Sequence, residues 1–209
     1  MVRTIGYREG FEDILAEGSY RMAERFGHPE YSISVKKQEF PPYDARGAQG
    51  MGLKYATSNR GALHVRGYMT TPEILGSPLK LDPFETKDKA QWDKTFQDLT
   101  VVVDSSGLCL FNTFAFRADE IVEYLKAATG IQINNEELMK TGERIWNLER
   151  LFNLKAGLTH KDDNLSERLL KEPIKKAQLK EESLNLKRCL PNTTNFMGGL
   201  LKEYPPKKN

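Results

Sequence analysis

Two side chains within one short stretch have types and spacing that could do chemistry. Gln97 to Phe111 reads QDLTVVVDSSGLCLF, in which Asp104 and Cys109 stand five residues apart with Gly107 and Leu108 between them. A carboxylate and a thiol bracketed by apolar residues are expected to be withdrawn from bulk water, where each needs a partner or a neutral state. A thiolate is also a soft metal ligand. Against that, a lone cysteine in apolar surroundings is commonly a small packed hydrophobe. An iron–sulfur cluster takes four thiolates, whereas this chain has only two cysteines, Cys109 and Cys189. By spacing alone, Asp104 serves to close the turn after Val103.

His64, in Ala62-Leu63-His64-Val65-Arg66-Gly67, is the next candidate. Imidazole titrates near neutrality, so it suits a general acid or base, or a donor beside a metal; the plainer role is a satisfied structural histidine. Arg66 offers a planar fork that fits phosphate or a polar heterocycle, or else an ion pair. On a regular helix these two side chains would point apart. A chain distorted at Gly61 and Gly67 could turn both toward one pocket. His28 and His160 read as exposed loop histidines, and no Walker loop, dinucleotide fingerprint, HExxH or nucleophile elbow occurs.

The elements that must position these groups are mostly helical. Residues 10–26 place Phe11, Ile14, Leu15, Met22 and Phe26 at helical spacing, ended by Gly27 and Pro29. Residues 31–40 alternate weakly, as a short strand or strap. Two prolines and three glycines across 41–52 describe a flexible loop or a backbone that approaches something closely. Residues 53–68 read as a helix interrupted at Gly61 and Gly67, and 70–85 as a surface loop. A helix over 87–103 carries Trp92, Phe96, Leu99 and Val103 inward and delivers the chain to Asp104. Further helices are expected over 117–129, over 135–156 with Leu138, Ile145, Leu148 and Phe152 on its apolar stripe, and briefly before Pro173. From 174 to 209 the chain reads as a polar, weakly ordered tail with a docking turn at Phe196–Tyr204. The fold class is therefore all-α: an irregular multi-helix domain over 1–173 with long loops.

Composition excludes several classes. A length of 209 residues bounds one core plus an appendage, and 31 basic against 29 acidic residues leaves a net charge of +2 with no general pull toward nucleic acid. Two cysteines make a disulfide framework untenable. The first residues lack a secretory pattern and no apolar stretch is long enough to span a membrane, so a cytoplasmic location is expected.

Four collinear stretches resemble the C-terminal part of the tungsten-pterin aldehyde:ferredoxin oxidoreductases: YREGFEDILAEG (7–18), PPYDARGAQGMGLKYATSNRGALHVRGY (41–68), QDLTVVVDSSGLCLF (97–111) and GERIWNLERLFNLKAGLTHKDDNLSERLLKEP (142–173). The resemblance implies that the D-x-x-G-L-C segment, here Asp104, Gly107, Leu108 and Cys109, approaches one of two pterins. It makes Cys109 one ligand of a 4Fe-4S cluster. His64 matches a histidine near the tungsten that handles protons during aldehyde oxidation, and Arg66 falls where a basic residue meets the pterin. Tungsten is the metal implied first and molybdenum second. The family's N-terminal pterin-binding base and its C-x-x-C-x-x-x-C set are absent from this sequence, so the tungsten-bis-pterin and the 4Fe-4S cluster both need residues of an N-terminal region or subunit. The implied partners are that region, ferredoxin and an aldehyde. Exposed apolar surface left by the missing part implies some tendency to self-associate. The competing expectation is a cofactor-free helical interaction module or a decayed paralogue fragment.

Overall fold

The computed structural model describes residues 1–174, and they are predominantly helical. The expected tail, beyond its first residue, and the docking turn at Phe196–Tyr204 lie outside the described residues. Helices α1 (Val2–Tyr7), α2 (Glu12–Leu15) and α3 (Ser19–Arg25) lead to a hairpin of β1 (Ser34–Val35) and β2 (Gln38–Glu39). Then follow α4 (Gln49–Thr57), α5 (Lys89–Ser105), α6 (Ala118–Thr129), α7 (Asn135–Lys155) and α8 (Glu167–Lys171). Among the described residues no helix is long and apolar enough to cross a membrane.

The single helix expected over 10–26 is two, because Gly18 between them takes φ +86°. Phe11 and Phe26, placed on its apolar stripe by sequence, are 54% and 57% exposed. The hairpin pairs Ser34 with Glu39 and Val35 with Gln38. Its turn residues Lys36 and Lys37 both have positive φ, as a tight turn twisted with its strands requires. Lys36 is held there by Asp163 at 2.9 Å and by donation to the Ala56 carbonyl at 3.1 Å.

Helix α4 is buried along its whole length and forms the centre of one core with Val35, Met69, Leu81 and Leu165. It begins inside the glycine-rich stretch read as a loop and stops at Thr57, so the helix expected over 53–68 is displaced toward the N-terminus. What the backbone approaches there is Glu73. Gly50 and Met51 donate their N–H groups to its carboxylate at 2.7 and 3.0 Å, which places a negative charge at the helix N-terminus. A Cβ on Gly50 would lie 2.9 Å from Glu73 Oε1 and 2.6 Å from Met69 Cε. Glu73 is 3% exposed and sits in a π-helical turn, Thr71–Leu75, within the stretch expected to be a surface loop. Lys89 Nζ, 2.5 Å away at the start of α5, neutralises it.

A second core joins α5, α6 and α7 through Val102, Val103, Ile121, Val122 and Leu138. Helices α5 and α7 are in close backbone approach at Gly142, where a Cβ would stand 2.0 Å from the Asp98 carbonyl oxygen. The inward face of α7 is Leu138, Gly142 and Trp146; Leu148 and Phe152, expected on it, are 69% and 72% exposed.

Candidate functional site

The site is built on the C-terminal end of α5 and the loop after α4. On α5 the most deeply buried positions include Asp93, Gln97 and Thr100, whereas Trp92, Phe96 and Leu99 are only partly buried. The sequence reading took the apolar stripe alone. The polar set Asp93, Gln97, Thr100 and Asp104 has the same four, three, four spacing, and it turns toward α4 and its loop. Asp93 Oδ2 accepts from Thr57 Oγ1 at 3.1 Å and from Gln97 Nε2 at 3.0 Å. Gly67 donates its N–H to Thr100 Oγ1 at 3.0 Å, fastening the loop that carries His64 and Arg66 to α5.

The D-x-x-G-L-C hexapeptide ends the helix by a double reversal of backbone bonds. Leu108 N–H donates to the Val103 carbonyl and Gly107 N–H to the Asp104 carbonyl, each at 3.2 Å, with Gly107 at φ +74°. This is the Schellman arrangement, and Leu108 packs into the second core beside Val103 as the motif favours. No atom lies within 4 Å of a Cβ on Gly107, so glycine is required there for its backbone angle and not for space. Gly107 and Leu108 thus have a complete structural account of their own.

The same turn that sends Leu108 inward leaves Cys109 exposed. The expectation of a buried thiol is therefore incorrect for the chain by itself; Leu108 and Leu110 pack, partly buried, against the second core while the sulfur is exposed. Cys109 opens a 3-10 turn, Leu110–Phe114, whose rings Phe111 and Phe114 are 75% and 52% exposed. Phe114 meets Tyr68 edge-on at 5.6 Å, Tyr68 lies 6.2 Å from His64, and Tyr43 meets His64 edge-on at 5.3 Å. An aromatic run thereby connects the segment following the thiol with the imidazole. Burial, and then the charge of Lys54, lowers the proton affinity of His64 below its ordinary value.

Arg66 is buried and answers two carboxylates. Its Nη1 donates to both Glu149 oxygens on α7, at 3.0 and 3.1 Å, and its Nε lies 2.7 Å from Asp104 Oδ2. The Nε–H points off that oxygen and has no aligned acceptor, so charge alone holds this second pair. Asp104 is shared with Arg60 at 3.8 Å and its side chain remains 29% exposed. Asn59 and Asn153 complete the attachment of the loop, donating to the Trp146 and Asn59 carbonyls at 2.9 and 2.7 Å. Replacing Arg66 by lysine keeps the charge but loses the fork, and is expected to cost about 2 kcal/mol. A urea midpoint within error of the original would refute the account of this network.

Does this surface fit a tungsten-pterin and an iron–sulfur cluster? The Asp104 carboxylate, 29% exposed and backed by the buried Arg66 guanidinium, suits a heterocycle that brings a donor. The exposed thiol is free to ligate. Among the described residues no three His, Cys, Asp or Glu side chains are grouped to hold a metal ion. The residues present fit one side of such a group.

Comparison with known proteins bears on the same point. The family described as aldehyde ferredoxin oxidoreductase, domains 2 & 3, matches residues 1–198. The chain is 52% identical over 199 residues to the tungsten-containing aldehyde ferredoxin oxidoreductases of Pyrococcus furiosus and Pyrococcus abyssi, in each case over 94% of this chain. It is 51% identical to the protein of that name from Thermococcus kodakarensis over the same share. It spans about a third, 33%, of the length of each.

Proposed function

The chain belongs to the aldehyde ferredoxin oxidoreductase family, and on that premise we propose that it forms the helical, cofactor-facing portion of a tungsten-pterin enzyme. The activity proposed for the assembled enzyme is oxidation of an aldehyde to a carboxylic acid, with electrons passed through a 4Fe-4S cluster to ferredoxin in the cytoplasm. The observation that carries this reading is the exposed Cys109 at one end of an aromatic run and the half-buried His64 within it. When bound, the tungsten-pterin and cluster supply the two-electron chemistry and its division into single electrons.

This chain supplies the rest. Cys109, presented outward by the Schellman turn, is the thiolate for one iron, and the burial of Leu108 beneath it fixes where the sulfur points. Asp104 offers an acceptor to the pterin, and Arg66, buried behind it, holds that carboxylate in place. His64 Nδ1 or Nε2 holds or releases a proton next to the aldehyde, and the rings of Tyr43, Tyr68 and Phe114 exclude water from that face. The remaining cluster thiolates and the second pterin contacts belong to an N-terminal region outside this sequence.

Co-expression with a polypeptide carrying the three-cysteine set, under tungsten and without oxygen, tests the reading. The two polypeptides are expected to co-purify with iron and tungsten. Cys109→Ser is expected to keep the association while losing most of the iron, measured by metal analysis. Recovery of separate, metal-free chains would instead favour a cofactor-free interaction module.

A further inference from the structure

The interior beneath the His64 loop holds charged groups that this chemistry does not use. Lys54 on α4 and Asp93 on α5 are both 0% exposed. Lys54 Nζ, Asp93 Oδ1 and the buried Tyr55 hydroxyl all lack a hydrogen-bond partner. They are neighbours: a Cβ on Gly67 would lie 3.2 Å from Asp93 Oδ1 and 3.3 Å from Lys54 Cγ, and Lys54 Nζ is 5.2 Å from the centre of the Tyr55 ring. Buried polar atoms of this kind are the sort that proteins satisfy with internal water. Gly67, which covers them, is three residues beyond His64 on the same loop.

We propose that Lys54 and Asp93 form a buried, water-linked proton store that exchanges a proton with His64. The inference rests on the role given to His64 above. With one proton between amine and carboxylate the pair is neutral overall. A second proton, given up by the His64 imidazolium, leaves a Lys54 ammonium beside an Asp93 carboxylic acid, with His64 neutral. Only N–H and O–H bonds change, and no electron moves. Lys54 and Asp93 act through His64 and are positioning residues.

The electrostatics agree with the geometry. Burial brings Lys54 down to about 7, against the raising effect of Asp93. Burial raises Asp93 well above the carboxylate range, opposed by Lys54. The Lys54 charge, after burial, disfavours protonation of His64, so protonation of the buried amine and of the ring oppose each other. The other ionisable groups facing the loop and the pair are Tyr43, Tyr55 and Tyr68, the guanidiniums of Arg60 and Arg66, the carboxylates of Asp104 and Glu149 that answer them, and Glu73 and Asp98, whose charges further raise Asp93.

The test is the pH titration of the His64 ring protons by NMR in the full 209-residue chain, assigned against His64→Asn. The unaltered chain is expected to show a lowered midpoint and a second inflection near 7, where Lys54 titrates. Lys54→Met is expected to leave one inflection and to raise the midpoint by about half a pH unit, roughly a threefold gain in proton affinity. Asp93→Asn strips Lys54 of its counter-charge, lowers its hold on a proton and moves His64 the same way. If either variant loses its fold, the other decides, and the second inflection in the unaltered chain decides by itself. A single inflection there, or a His64 midpoint unmoved in a folded variant, overturns the proposal. Because no metal is involved, this outcome is separate from that of the co-expression experiment.

Discussion

Gly142→Ala is expected to destabilise the chain by about 3 kcal/mol or more, the upper range for forcing atoms into a filled interior. The added carbon would stand 2.0 Å from the Asp98 oxygen and 2.6 Å from its carbonyl carbon, and both are backbone. Neither can swing aside as a side chain would, so α5 and α7 must separate. That movement would loosen the second core and, with it, the grip of Glu149 on Arg66. A urea unfolding midpoint reads the effect directly. Gly6→Ala on α1 is the control: nothing lies within 4 Å of its Cβ, so the better helix former should be neutral or mildly stabilising. Equal effects from the two substitutions would show that helix propensity, not the approach of α5 to α7, governs the result.

In the assembled enzyme, His64→Asn is expected to lower turnover by about a hundredfold to ten-thousandfold, the span associated with loss of a positioned acid or base. Iron content should be unchanged, because the ligand proposed on this chain is Cys109 and not the imidazole. The pH dependence carries a sign. Burial and Lys54 both lower the proton affinity of His64, so the neutral ring persists to lower pH than in an ordinary histidine. Activity that needs the free base should therefore hold at neutral pH and fall only as pH drops through this lowered midpoint. His64→Asn should flatten that acidic limb as well as lower the plateau. A variant with full turnover and the same limb would remove His64 from the chemistry.

Much of this architecture was legible in the sequence, and the misreadings share one cause. Helices α5, α6 and α7 lie close to where apolar spacing and their terminal glycines put them, and Gly130 ends α6 with φ +74°. The spacing found the helices but misjudged their inward faces. Phe152 fits an apolar stripe yet faces out, because Gly142 draws α7 against α5 along the line of Leu138, Gly142 and Trp146. Asp93, Gln97 and Thr100 went unread because polar residues are expected outside, although their own spacing marked a second face. The glycine-rich stretch that opens α4 read as either a flexible loop or a close approach, and it did not name Glu73, which lies 23 residues beyond Gly50. Sequence alone associated His64 with Cys109 only through family likeness. Their common run of rings depends on Tyr43, Tyr68 and Phe114, which local pattern does not connect.

Glu73 has a consequence for how the chain comes together. Its carboxylate holds the first amides of α4 and the side-chain ammonium of Lys89 at the start of α5, so the buried charge at one helix start is answered only when the other is in place. Helices formed on such terms open as one cooperative unit, and their slowest-exchanging amide hydrogens should be lost together. The two walls that flank the His64 loop are therefore expected to assemble in a single event, from which the loop takes its shape.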